Sequence, residues 1–311
     1  NPSHNIPNAE GLYPKGVVRA TTGAWVGHVK SWRATWVQGL GSVVDTPYGL
    51  DGTFGATVGW RIDRAFSLRG VVSRSMRLPT FTDLFYSVAT YHPNDALKPE
   101  TAMTYRLTGD WVSWRALGSH GGEFKAEASV WYRATKDVID WEQRPDLTPG
   151  DGEDQTGHWW STQSNRLGTV GAELSASYTS RGWLRVAMLG YGYMNSDMSV
   201  ATNYISKYAL DYMRHKASAV VGVAFLRDFT LTLTGSFYDR EGSYIDVGGK
   251  QRGYNPYFLL DGRLAWEPRI EGRTGLQLYL DATNITGTEY FDFGGLPMPR
   301  QWASGGVVLT F

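Results

Sequence analysis

Apolar and polar side chains alternate with a period of two in this chain, over runs too long for an ordinary soluble sheet. Phe124, Ala126, Ala128, Val130 and Tyr132 share one parity, and Lys125, Glu127, Ser129, Trp131 and Arg133 the other. Successive strand residues point to opposite faces, so the spacing predicts strands with one oily and one polar face. Phe229, Leu231, Leu233 and Phe237 oppose Thr230, Thr232, Thr234 and Ser236 in the same way, as Leu276, Leu278, Leu280 and Ala282 oppose Gln277, Tyr279, Asp281 and Thr283. Soluble sandwiches alternate too, and strand length separates the two cases. Several runs here reach about 10 to 15 residues, against about 5 to 6 in globular strands, and a tilted strand needs about 9 to 11 to cross a bilayer.

The connections alternate as well. Short links are expected near 28–31, 63–65, 119–122, 180–182, 226–228 and 269–272. Long ones are expected over 76–99, 137–165, 196–207, 239–255 and 285–300, with a shorter one near 41–52. Short periplasmic turns and long outer loops are the sidedness of outer-membrane barrels. The fold class expected is therefore all-β, an antiparallel transmembrane β-barrel with about 13 strands in this chain. First and last strands would both descend, so antiparallel closure requires an odd number of further strands upstream; with about 22 in plugged transporters, about nine lie outside residues 1–311.

Composition agrees. Aromatic residues are 14% of the chain, with 18 Tyr and 13 Trp beside 37 Gly, which suits strands, turns and an interfacial girdle. Lys+Arg and Asp+Glu balance at 30 each, which argues against nucleic acid as a partner. Cysteine is absent, removing disulfides, thiolate metal sites and Cys nucleophiles. No apolar run reaches the about 18 residues of a membrane helix.

Two boxes carry a family likeness. Arg74-Ser75-Met76-Arg77-Leu78-Pro79-Thr80-Phe81-Thr82-Asp83-Leu84-Phe85, followed by Pro93-Asn94-Asp95-Ala96-Leu97-Lys98-Pro99-Glu100, resembles the Arg-x-Pro-Thr and Leu-Lys-Pro-Glu boxes of TonB-dependent outer-membrane receptors. The run Asp281 to Tyr290, with Asn284, and then Pro297, Pro299, Arg300 and Phe311, is similar to the last hairpin of that family. Lys136 to Trp141, Ser206 to Lys216, and Tyr254 to Tyr257 with Leu260-Asp261 resemble receptors of the vitamin B12 (cobalamin) type. The resemblance implies location in the cell outer membrane and energised import of a scarce small molecule, cobalamin first, with haem or a ferric siderophore as alternatives. It implies a TonB-type inner-membrane protein acting through an N-terminal plug domain outside these residues, a surface lipoprotein as a further partner in family members, and Phe311 as the signal read by the barrel assembly machinery. It implies no cofactor and no covalent step. A barrel that only anchors or adheres, and an outer-membrane hydrolase, are the other classes weighed.

Physically, Pro79 and Pro99 fix φ where strand gives way to loop, and Arg77 is placed to pair with Glu100 near the rim; Leu97 and Asn284 complete the family positions. The aromatic residues Phe85, Tyr86, Tyr91, Trp141, Trp159, Trp160, Tyr204 and Tyr244 fall in expected outer loops. Rings there either stack on a flat ligand or belong to the interfacial girdle. The six His form no metal pattern, and His92 is either an exposed loop residue or an axial ligand if the cargo is haem. Gly150 to Asp154 reads as a solvated acidic loop, its spacing failing the EF-hand template. Asp211 and His215 lie four apart on one strand, about 13 Å by the usual rise, too far for a catalytic dyad.

Overall fold

The computed structural model describes residues 16–18, 26–30, 33–113, 122–143, 158–198, 205–246, 250–268, 275–292 and 295–310. Its principal element is one large sheet whose main path holds 13 strands, each antiparallel pair set beside its sequence neighbour. The path runs from Gly16–Val18 through Arg33–Thr46, Gly49–Arg61, Phe66–Arg77, Glu100–Ser113, Gly122–Gln143, Trp159–Ser180, Leu184–Met198, Tyr212–Phe225, Phe229–Glu241, Tyr257–Trp266 and Gly275–Thr283 to Trp302–Thr310. The chain falls into two compact units, one of residues 1–107, 131–170 and 196–209, the other of 108–130, 171–195 and 210–311.

In the second unit the register explains the alternation. Val221, Leu233 and Gly262 align across three strands, as do Ala217, Phe237 and Phe258. Leu280 faces Leu264 on one side and Gly305 on the other, and Leu278 faces Val307. This apolar face is open: Leu280 is 56% exposed and Val307 62%. A contiguous oily surface of that kind is not left in water, and hydrocarbon is the solvent it suits. The opposite face carries Arg263, which pairs with Asp281 at 2.8 Å and lies 4.1 Å above the ring of Tyr279. Tyr279 in turn leans over Gly306, where any side chain would collide with its phenol. Phe225, Phe229 and Trp266 stack in a row at the strand ends, the position of an aromatic girdle.

In the first unit, Val58 and Trp60 belong to a similar exposed apolar face, with Val72 and Leu68 across from Ala56 and Trp60. Three expectations change there. The outer loop expected near 41–52 is a tight turn at Pro47-Tyr48, with Gly41 facing Phe54 and Gly52 facing Val43 inside the ladder. Thr46 closes the turn, its hydroxyl donating to Gly49 O at 2.8 Å and accepting from Tyr48 N at 3.2 Å. The loop expected over 137–165 is shorter, because Gly122–Gln143 and Trp159–Ser180 each run 22 residues, about twice a bilayer crossing. Their far ends therefore stand clear of the hydrocarbon. The stretch 76–99 also holds a helical turn, Phe81–Phe85.

One turn is sterically costly. Leu226 and Arg227 both adopt positive φ, 43° and 64°, where a Cβ crowds the backbone. Arg227→Gly should therefore raise stability by about 1 kcal/mol, read as a higher urea midpoint of the protein refolded in detergent micelles, whereas Arg227→Val should lower it.

Candidate functional site

Two arrangements in the first unit gather most of the residues singled out by sequence. The first is built on Asp83. Thr80 caps the short helix, its hydroxyl accepting from Asp83 N at 3.2 Å while Asp83 Oδ2 accepts from Thr80 N at 2.9 Å. Arg77 donates to the same carboxylate oxygen at 3.0 Å, and Trp141 Nε1 donates to the other at 3.2 Å. The Asp83 side chain is only 4% exposed, so these donors replace the water that an ionised carboxylate would otherwise lose. Arg77 also lies 3.6 Å from Glu100, the pairing expected at the rim, and Glu100 accepts from Ile139 N at 3.2 Å. Leu97, Leu84 and Ile139 pack together under Phe85. The two boxes thus close on each other around a buried charge and a small apolar core. Pro99 stands where strand Glu100–Ser113 begins, and Pro79 just before the cap.

The second arrangement is aromatic. Tyr91 meets Trp141 at 5.3 Å and Tyr86 at 5.6 Å between ring centroids. Lys207 donates to Tyr91 Oη at 2.8 Å and sits over the rings of Tyr91, Trp159 and Tyr208 at 4.6, 5.2 and 5.6 Å. Rings around a cation attract it through their quadrupoles. The segment that carries Lys207 is fastened by Asp140, which accepts from the hydroxyl of Ser206 and from the backbone N–H groups of Trp141, Tyr208 and Ala209. Burial pushes the Asp140 carboxyl up, against the pull of those donors. Strand pairing of Ile205 with Gln143 and of Ser206 with Glu142 completes the junction.

Beside it, Tyr91–His92 pairs in parallel with Trp159 and Trp160. That brings His92 Nε2 to 2.9 Å from His158 Nδ1, one ring donating and the other accepting. The two ring planes lie within 14°, and Trp160 stacks on His92 at 5.0 Å. Burial first, then repulsion from His158, holds the His92 pKa below the ordinary imidazole value.

Tyr244 lies in the other unit, against Tyr254 at 5.2 Å and Phe291 at 6.3 Å. Arg240 there binds Asp211 and Asp292, and Tyr254 Oη donates to Asp211 at 2.9 Å. Asp211 is thus committed to Arg240 and Tyr254, while His215 Nδ1 lies 2.8 Å from Tyr191 Oη. Asn284 is 1% exposed with φ 49°; its side-chain oxygen accepts from Thr288 N and its amide donates to Thr288 O. It shapes the turn of the last hairpin. Tyr204, Phe311 and the acidic stretch 150–154 lie outside the described residues.

Sequence reading did not single out Asp83, Asp140, His158, Lys207 and Tyr208 as site residues. Thr80-x-x-Asp83 carries a legible capping signal. Asp140, Lys207 and Tyr208 fall in the stretches that resemble cobalamin receptors, but their meeting with Tyr91 and with each other joins segments dozens of residues apart.

Residues 31–285 match the family described as TonB dependent receptor-like, beta-barrel. No curated protein matches the sequence. Among solved structures, the chain is similar to the hemophore receptor HasR of Serratia marcescens, a double mutant in complex with its hemophore HasA and heme, at 15% identity and a TM-score of 0.62, over 89% of this chain and 48% of that one. It is similar to the copper transporter OprC at 14% identity and a TM-score of 0.60, over 91% and 45%. It is also similar to the ferric enterobactin receptor PfeA of Pseudomonas aeruginosa at 13% and 0.59, over 89% and 45%. The chain spans about half the length of these structures, and at such identity the likeness shows the fold.

Two outcomes follow from the geometry. Arg77→Met leaves the buried Asp83 carboxylate short of one charged donor, at a cost of about 2 kcal/mol once the partial exposure of Arg77 is discounted, visible as faster hydrogen exchange across 80–100 with the rest of the sheet unchanged. For His92, a depressed folded-state pKa means the contact is stable above the ordinary imidazole value of about 6.5 and weakens as pH falls below it. Tryptophan fluorescence should therefore change as pH falls below about 6.5, and His92→Asn should abolish that transition.

Proposed function

The chain belongs to the TonB-dependent receptor-like β-barrel family, and from that premise we propose that it is the C-terminal portion of an outer-membrane receptor for a scarce organic nutrient, cobalamin foremost. The protein resides in the outer membrane. In this reading the outer loops and an N-terminal plug capture the ligand, and a TonB-type inner-membrane protein moves the plug to release it to the periplasm; a surface lipoprotein assists capture. The observation that carries the proposal is the aromatic surface of Tyr91, Trp159 and Tyr208 around Lys207, extended by Tyr86 beside Tyr91; Trp141, only 4% exposed, packs against Tyr91 and does not face a ligand. Large rigid rings give a flat ligand broad contact at low entropic cost. Supporting the choice of cobalamin, two of the stretches that resemble cobalamin receptors, 136–141 and 206–216, meet at Asp140 and Ser206. Haem is the second reading, favoured by His92, whose Nε2 would have to leave His158 to reach iron.

The test is a binding titration of the full-length receptor, purified from its native membrane, with cyanocobalamin and with haem. Tight cobalamin binding that weakens at least about tenfold in Trp159→Ala supports the proposal. A Soret shift with haem that vanishes in His92→Ala overturns it in favour of haem uptake, and no binding of either directs attention to a ferric siderophore.

A further inference from the structure

His92 and His158 form a contact between two imidazoles. Two imidazoles from segments 66 residues apart are set nitrogen to nitrogen by a short parallel pairing and backed by the indole of Trp160. We propose that His92 Nε2 and His158 Nδ1 together bind one divalent transition-metal ion, with Cu²⁺ preferred, independently of the organic nutrient that the receptor carries.

Nitrogens bound to one metal at about 2.0 to 2.1 Å lie about 2.9 Å apart when at right angles and about 4.1 Å apart when opposite each other. The observed separation is 2.9 Å, so the pair matches adjacent positions on a single ion and is too short for the two axial positions of a haem iron. Ring centroids 5.2 Å apart place the two nitrogens facing each other along one line, sharing a single proton. Metal entry moves that proton to the other nitrogen of the ring that carries it, so both imidazoles bind neutral and no proton is lost. The rings then pivot within their common plane, at nearly constant separation, until both lone pairs meet the ion. Trp160 flanks that plane and resists tilting out of it.

Imidazole suits Cu²⁺, Ni²⁺ and Zn²⁺, and the Irving–Williams order places Cu²⁺ first among them. Among the described residues no third His, Asp or Glu joins the pair, which leaves the remaining coordination positions to water or to a chelator that delivers the ion.

The experiment is a titration of the full-length receptor, carrying no histidine tag, with Cu²⁺ alone at pH 7.4, read by calorimetry and by electron paramagnetic resonance. One ion per chain with hyperfine coupling from two imidazole nitrogens is expected. His92→Ala and His158→Ala should each weaken binding at least tenfold, and His215→Ala should not. Fewer than two coordinated imidazoles in the folded wild-type protein would overturn the proposal without recourse to any variant. Affinities of both alanine variants equal to the wild type would overturn it as well.

Discussion

Backbone N–H and C=O groups have no water to bond in hydrocarbon, so a strand that crosses a bilayer depends on its two neighbours for every one of them. The uninterrupted register of Phe229–Tyr238 with Tyr257–Trp266, and of Gly275–Thr283 with Trp302–Thr310, is the local answer. Once that ladder is imposed, the period of two assigns each side chain to one face. Leu280 and Val307 then belong with lipid, and Arg263 and Asp281 with the polar side, without any conventional hydrophobic core.

Beyond the hydrocarbon the physics changes. The ends of Gly122–Gln143 and Trp159–Ser180 stand in a polar setting, where the only compact apolar cluster among the described residues is Leu84, Leu97 and Ile139. Order there comes from carboxylates that gather donors. Asp83 joins the two family boxes to Trp141, Asp140 fastens the segment that carries Lys207, and Asp211 holds Arg240 and Tyr254 in the other unit. A buried carboxylate is a demanding fastener, because it is stable only when all of its donors are in place. That same demand fixes the loops that present the aromatic rings, so rim architecture and ligand surface are set by one group of residues.

Much of this was legible from the residues themselves. The strand faces around Phe229 and Leu276, the turn at 226–228 and the pairing of Arg77 with Glu100 follow from alternation, punctuation and charge. The link expected near 41–52 is mostly ladder, since a glycine inside a ladder and a glycine in a turn look alike in a single sequence. The long reach of strands Gly122–Gln143 and Trp159–Ser180 past the bilayer was also hidden, because polar residues such as Asp140 and Ser164 inside a strand resemble loop residues until their partners are known.

The sequence by itself determined an antiparallel membrane sheet, because period-two patterning and strand length are local properties that the solvent reads directly, and its two boxes carried the family resemblance. Tertiary structure alone decided which rings meet which charges. Trp141 reaches Asp83 across 58 residues of chain, Lys207 reaches Tyr91 across 116, and His92 meets His158 across 66. Such meetings depend on strand register and on how far each strand runs beyond the lipid, and neither quantity is written in any short stretch of sequence.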